Sequence, residues 1–168
     1  MLRIIILFSL LCSNSASAAD LSAFFVDGDN RDITASKVIE SKEEPDTIIM
    51  WVGKVSDISV YVNDDGATAI EWFCEQYPFA KQPTQPFEDP LMLLPDSSGH
   101  FVVTLNLPDL SVSEVKEKII EPLESPSWVL VRGEPVLIRS YKGTPSVFLH
   151  SLGATVSDTL KVEYVNNR

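Results

Sequence analysis

The residues best suited to catalysis are two histidines and one cysteine. The histidines are His100 and His150, and Cys74 lies in an apolar run typical of a strand. A cysteine beside a histidine can act as nucleophile and general base. However, nothing in the sequence fixes such a pair, and a cysteine in an apolar run is expected to be buried. No Gly-x-Ser-x-Gly, Cys-x-x-Cys or His-Glu-x-x-His motif occurs. We therefore expect no catalytic residue, no metal site and no cofactor.

One acidic segment resembles the start of a calcium-binding loop. Asp27, Asp29 and Asp32 are closely spaced around Gly28 and Asn30. The glycine position and the closing glutamate that such a loop requires do not follow. Asp, Asn and Gly in this order are also typical of turns, so the segment predicts a turn.

A proline-rich stretch carries the residues best suited to binding. Five prolines lie between Gln76 and Gly99, a density that excludes a helix or a central strand and predicts a long ordered loop. Its apolar side chains either form an exposed surface, which would indicate a partner, or cover the open end of a barrel. Together with the next residue after the loop, the candidate binding residues are Tyr77, Phe79, Phe87, Leu91, Met92, Leu93, Leu94 and His100.

The charge of the chain favours some partners over others. Its 13 basic and 24 acidic residues give a net charge of −11. Such a chain repels phosphate backbones, and no basic stripe is visible. Trp72 and Phe101 could stack on bases, but each shares a strand face with apolar residues and is expected in the core. We therefore expect no nucleic-acid partner, and instead an envelope protein, a cationic peptide or a membrane-associated partner.

Two valine-rich strands are each interrupted by one glycine, at Gly53 and Gly133. Glycine inside a strand marks a bend or a close approach of backbone. In both strands the alternation of side chains also shifts by one residue, near Ser56–Asp57 and near Gly133–Pro135, as a β-bulge would produce. Two bent strands in so short a chain predict a small sheet that coils into a closed barrel.

The order of elements refines this prediction. Asn63–Gly66 is a hairpin turn, and Phe101 to Leu107 alternate as a third strand. Ser111 and Glu114 then form the capping box of a helix that ends at Pro122. The predicted fold is all-β with one helix: a five-stranded OB-like Greek-key barrel with the helix between strands three and four. The alternative is an antiparallel sandwich.

The first residues match a secretory signal peptide. Arg3 precedes an apolar run, Ile4–Leu11, and Ala16–Ala18 is a small-residue cleavage site. Cleavage after Ala18 predicts a periplasmic or secreted protein. A lipid anchor on Cys12 is the alternative, although the residue before it is a bulky leucine. The predicted domains are a signal peptide (1–18), an N-terminal extension (19–46), the barrel (47–157) and a C-terminal tail (158–168).

Four short motifs resemble the Slp-type starvation lipoproteins of Gram-negative outer membranes. They are Trp51–Val55, Ile70–Trp72, Gly99–Phe101 and Val131–Glu134, and the resemblance covers about residues 50–156. It implies a periplasmic OB module without catalysis. The chain departs from that family at His100, where the family favours arginine, and in the helix that follows strand three.

These observations predict a non-catalytic periplasmic or envelope binding module of OB-like fold that recognises a protein, peptide or glycan. Its expected binding surface is the 76–99 loop with the outer faces of strands two and three. The alternative is a structural subunit of a membrane-anchored envelope assembly, in which the loop is docked permanently. A hydrolase with an unrecognised site ranks last.

Overall fold

The computed structural model describes residues 30–81, 90–123, 127–157 and 162–165. The predicted signal peptide, the extension as far as residue 29, and Phe87 lie outside the described residues. Within the described ranges, no helix has the length and apolar character needed to cross a membrane.

The described chain is mostly β-structure with two short helical segments. Strands and helices follow in the order α1 (Ala35–Ser41), β1 (Ile49–Val62), β2 (Thr68–Gln76), β3 (Leu91–Leu93), β4 (His100–Leu107), α2 (Val112–Val115), β5 (Trp128–Tyr141), β6 (Thr144–Ser157) and β7 (Val162–Tyr164). A π-helical turn, Lys116–Ile120, directly continues α2.

Five strands hydrogen-bond in a closed ring. Their order is β1-β2-β4-β6-β5, and β5 pairs back to β1. Neighbours are antiparallel except β4 and β6, which run parallel. One ring of five strands with a single parallel pair is an OB-like arrangement, so the prediction of a β-rich, OB-like fold is confirmed.

The bends of the ring lie where the sequence predicts them. The register of β1 shifts between Val55 and Asp57, and that of β5 shifts on both sides of Gly133–Pro135. A Cβ at Gly53 would lie 2.6 Å from the ring of Phe101, and one at Gly133 would lie 2.6 Å from the carbonyl oxygen of His150. Both glycines therefore permit a close approach that no other residue would allow.

The interior of the ring holds the main apolar core, which also includes residues of both helical segments. Val115 and Ile119 contribute from α2 and its continuation, and Ala35 and Val38 from α1. Hydrogen bonds fix α1 in place: the Ala35 amide donates to Gln76 Oε1 at 2.9 Å, and Trp51 Nε1 donates to the Ile33 carbonyl at 2.7 Å. The part of the predicted extension that the structure describes is thus integrated in the core.

A second apolar cluster lies on the outside of the ring. Met50 and Val52 of β1 and Trp128 and Leu130 of β5 point outward, opposite in parity to the interior residues. Leu91 and Leu93 of β3 cover them, and β3 pairs in parallel with β7. We call β3, β7 and the flanking Tyr77–Phe79 segment the outer layer. β1 and β5 are apolar on both faces here, so burying the outward side chains stabilises this layer.

This arrangement corrects the expectation of a long loop without strands. The proline-rich stretch contains β3, and its described residues Leu91 and Leu93 cover the outer wall of the ring at β1 and β5. The predicted C-terminal tail contributes β7.

The capping box predicted before α2 is present. The Ser111 hydroxyl accepts a hydrogen bond from the Glu114 amide at 3.3 Å, and Glu114 Oε2 accepts one from the Ser111 amide at 3.0 Å. The bond from the Ser111 amide, with that from Lys118, lowers the pKa of Glu114 to about 2. Because the folded-state pKa lies below the ordinary value of 4.5, this contribution is present above pH 4.5 and is lost as the pH falls toward about 2.

We expect Ser111→Ala to lower the free energy of unfolding by about 1 kcal/mol at pH 7, because the Glu114 amide loses the hydroxyl that accepts its hydrogen bond. Urea unfolding followed by far-UV circular dichroism measures this change. Lys116→Ala, at an exposed position five residues later, is the matched control and should change little. Equal midpoints for both variants would contradict the structural role of the box.

Candidate binding face

The structure separates the predicted binding residues into two places. Tyr77, Phe79, Leu91 and Leu93 belong to the outer layer, where Leu91 is 2% and Leu93 is 0% exposed. Met92 and Leu94 lie half-buried in the same segment. His100 begins β4, where its ring stacks on Phe73. Leu91 and Leu93 therefore pack against the outer wall of the ring. His100 lies on a different surface, beside Phe73.

That surface is built on three neighbouring strands of the ring. The residues that alternate with the interior ones point outward, since successive side chains of a strand face opposite sides. Phe73 of β2 pairs in register with Val102 of β4, which pairs with Phe148 of β6. We call the set the aromatic face; it consists of Phe73, His100, Val102, Tyr141 and Phe148. Phe73 and His100 are half-buried, and the other three are buried beneath their neighbours.

Three rings of the aromatic face form a stack. Phe73 lies between His100, at 5.2 Å between centroids and 6° between planes, and Tyr141, at 4.8 Å and 17°. Near-parallel rings at these separations are offset stacks, which stabilise the cluster beyond the burial of its area. Phe148 adjoins Tyr141 at 6.4 Å.

The tip of the β5–β6 hairpin brings Tyr141 to this stack. Lys142 and Gly143 have φ values of 47° and 91°, as a tight two-residue hairpin turn requires. The Tyr141 hydroxyl donates to Asp57 Oδ2 at 3.2 Å and is hydrogen-bonded to the Ser59 hydroxyl at 2.9 Å. Asp57 and Ser59 belong to β1, so the hairpin tip, Tyr141–Thr144, reaches across the aromatic face to a strand with which it does not pair.

Carboxylates surround Phe73 on three sides. Glu71 and Glu75 precede and follow it on the same face of β2, and Asp57 is its register partner on β1. The Tyr61 hydroxyl donates to Glu71 Oε1 at 2.9 Å, and burial together with this carboxylate raises the pKa of Tyr61 to about 12. The Tyr77 hydroxyl donates to Glu75 Oε2 at 3.2 Å. Both phenols are therefore neutral hydrogen-bond donors near pH 7.

Two cations of the chain itself already contact this surface. The guanidinium of Arg139 lies 4.1 Å from the centroid of Phe148, and Lys142 Nζ lies 5.5 Å from that of Tyr141. Lys142 also donates to Asp57, and this hydrogen bond lowers the pKa of the Asp57 carboxyl. Aromatic rings bordered by carboxylates are suited to recognising ammonium and guanidinium groups.

The cysteine–histidine pair considered from the sequence does not form. Cys74 belongs to the interior cluster, and burial raises the pKa of its thiol. His100 and His150 point to the outer face, His150 beside Thr104. Thiol and imidazoles therefore lie on opposite faces of the sheet. In the part of the chain that the structure describes, no group of three or more His, Cys, Asp or Glu residues could hold a metal ion.

Sequence reasoning missed Phe73, Tyr141 and Phe148 as site residues. It considered Trp72 and Phe101, which are buried in the core as expected, at 1% and 0% exposure. The available signal was the parity of β2: Phe73 lies between Glu71 and Glu75 and alternates with buried Trp72 and Cys74. An aromatic residue between two glutamates on the outer face of a strand marks that face as a candidate for binding.

Comparisons with known proteins find likeness among solved structures but none in sequence. No family model and no curated protein matches the sequence, so the Slp-type resemblance stays a prediction. Among solved structures, the chain is similar to the crystal structure of a small single-stranded DNA-binding protein from Streptomyces coelicolor. The two share 14% identity with a TM-score of 0.43, over 71% of this chain and 97% of that chain. The expectation of no nucleic-acid partner is corrected by this finding: the acidic composition does not suffice to exclude nucleic acid.

Proposed function

We propose that this protein is a non-catalytic binding module that takes a lysine- or arginine-rich protein or peptide segment on its aromatic face. In this proposal the module is an OB-like Greek-key barrel, with the helical segment 112–120 between its third and fourth strands. Ligands of OB-folds commonly bind on the face of strands two and three, which correspond here to β2 and β4.

The observation that most strongly supports the proposal is the environment of Phe73. Two stacked rings and three carboxylates meet at this residue, from β1, β2, β4 and the hairpin tip. Since His100 and Tyr141 stack on Phe73, a basic side chain placed there gains cation–π contact with the outer rings of the stack. It also gains charge-assisted hydrogen bonds with the carboxylates. The contacts of Arg139 and Lys142 show that the face accommodates both types of cation.

The net charge of −11 adds a long-range attraction for the same class of ligand. Potentials of one sign accelerate the association of oppositely charged partners, and the effect weakens as ionic strength rises. Binding by this face is therefore expected to depend strongly on salt.

Single-stranded nucleic acid is the second candidate, favoured by Phe73 and His100 on β2 and β4. Aromatic side chains at these positions can stack on bases. The phosphates of such a ligand, however, would approach Asp57, Glu71 and Glu75, whereas single-strand grooves are usually basic. The carboxylates of this face therefore distinguish the two candidate ligands, because they attract a basic peptide and repel the phosphates of a nucleic acid.

The test is to neutralise Glu71 and Glu75 without changing their shape. We expect the double variant Glu71→Gln/Glu75→Gln to bind fluorescein-labelled octalysine about three- to tenfold more weakly than the unmodified protein at low salt, since each partly exposed carboxylate contributes about 0.2–1 kcal/mol. The same variant should bind fluorescein-labelled oligothymidylate more tightly, if the unmodified protein binds it at all. Fluorescence anisotropy measures both affinities.

Glu117→Gln/Glu121→Gln is the matched control, because both are exposed glutamates at the helical segment and not on the aromatic face. It removes the same two charges and should leave the affinity for octalysine nearly unchanged. Two results would contradict the proposal: an equal loss in the control, which would indicate attraction by net charge alone, or binding of oligothymidylate without binding of octalysine.

A further inference from the structure

Tyr141, Ser59 and Asp57 form a small polar site at the edge of the aromatic face. The Tyr141 hydroxyl is hydrogen-bonded both to the Asp57 carboxylate and to the Ser59 hydroxyl. These bonds fix the orientation of the carboxylate beside the Tyr141 ring. A carboxylate held next to an aromatic ring offers an ammonium group both a charge-assisted hydrogen bond and a cation–π contact.

A cation of the chain occupies this site. Lys142 Nζ donates to Asp57 Oδ2 while lying 5.5 Å from the centroid of the Tyr141 ring. The lysine is the first residue of the hairpin turn and has a positive φ of 47°, a conformation that non-glycine residues seldom adopt. Turns of this type favour Asn, Asp or Gly at that position, so turn chemistry does not explain the lysine.

The contact of Lys142 is easily exchanged for another. The side chain of Lys142 is 66% exposed and that of Asp57 37% exposed. Ion pairs at such exposure contribute little to stability and are screened by salt. Tyr141, by contrast, is only 9% exposed and is held by the stack with Phe73. A competing ammonium group can therefore displace the lysine while the ring and the carboxylate stay in place.

We propose that Asp57, Ser59 and Tyr141 form a subsite for the ammonium group of a ligand lysine, which Lys142 fills from within the chain until the ligand replaces it. This inference rests on the proposed function and identifies the part of the aromatic face that binds the ammonium group of the ligand. Lys142 is then an intramolecular competitor, and its removal strengthens the binding of a basic ligand.

The first experiment compares octalysine binding by the unmodified protein, Lys142→Ala and the control Lys116→Ala, which removes an exposed lysine from the helical segment. We expect Lys142→Ala to bind about three- to tenfold more tightly, and Lys116→Ala to gain less than twofold. Unchanged or weaker binding by Lys142→Ala, with binding by the unmodified protein intact, overturns the subsite and leaves the proposed function standing. Equal gains in both variants overturn it as well, since they would reflect net charge.

A second experiment tests the subsite without a peptide. The titration of the Asp57 carboxyl is followed by ¹³C NMR in Lys142→Ala, with and without n-butylammonium as a substitute for the lysine side chain. Loss of Lys142 should raise the pKa of Asp57, and n-butylammonium should lower it again, because a cation in the subsite favours the charged carboxylate. Tetramethylammonium, which cannot donate a hydrogen bond, should lower it less.

These outcomes distinguish failure of the proposed function from failure of the subsite. If octalysine binds to neither protein but n-butylammonium lowers the pKa of Asp57, the proposed function fails and the subsite stands. If n-butylammonium has no more effect on Asp57 than tetramethylammonium, the subsite fails whatever octalysine does.

Discussion

Gly53→Ala is expected to destabilise the protein by about 1–3 kcal/mol, although it adds a single methyl group. The new Cβ would lie 2.6 Å from two atoms of the Phe101 ring and 2.8 Å from the Cβ of Cys74. Phe101 and Cys74 are each 0% exposed and packed on all sides, so neither can move aside freely. Urea unfolding monitored by circular dichroism gives the change in the free energy of unfolding.

Two further variants test whether the loss of stability comes from the overlap of the new methyl group with Phe101. Gly66→Ala adds the same methyl group where nothing lies within 4 Å, and its φ of +79° limits the cost to backbone strain of about 1 kcal/mol. Phe101→Leu removes ring atoms near Gly53. If the overlap is the cause, the double variant Gly53→Ala/Phe101→Leu loses less than the sum of the single variants. Strict additivity would show that the methyl group and the ring do not meet.

The features that the sequence predicts well are set by neighbouring residues in the chain. The bulges near Asp57 and Gly133 follow from a shift in side-chain parity, and the box at Ser111 from residues three apart. Each of these patterns has a physical cause that acts within a few residues. The OB-like order of strands then follows from the sequence of such elements.

The outer layer could not be derived in this way, because it depends on pairing between distant segments. β3 and β7 are three residues each and are separated by about seventy residues of chain. A signal was nevertheless available: Ile49–Val52 and Trp128–Val131 are apolar at every position. A strand exposed to solvent on one face alternates, so continuous apolar runs indicate that both faces are covered.

In the aromatic face, too, some features follow from neighbouring residues of the chain and others from contacts between distant residues. The parity of β2 identifies Phe73 as an outward aromatic residue between two glutamates. The contacts of Tyr141 with Ser59 and Asp57, at sequence separations of 82 and 84 residues, depend on how far the β5–β6 hairpin extends over the sheet. Strand lengths are poorly fixed by the sequence, and this hairpin is long: β6 spans 14 residues, Thr144–Ser157.

Leu93→Ala is expected to have the largest effect of the variants considered, a loss of about 2–5 kcal/mol in the free energy of unfolding. Leu93 is 0% exposed and packs in the cluster of Met50, Val52 and Leu130 on the outer wall. Truncation removes its apolar contacts and leaves a cavity in a layer held by a three-residue strand. Met92→Ala, one position earlier and half-buried, is the matched control and should cost clearly less.

The size of this loss also reveals how firmly the outer layer is attached. If the layer detached from the wall as a separate unit, the loss on global unfolding could not exceed the free energy of that detachment. Hydrogen exchange distinguishes the two cases through the amides of Val165 and Leu94, which donate to the carbonyls of Leu93 and Pro78. We expect Leu93→Ala to accelerate exchange at both amides more than at the amides of β4.

A loss of unfolding free energy no greater than that of Met92→Ala would mean that the proline-rich segment does not depend on Leu93 for its packing. Its apolar residues would then again be candidates for a binding surface.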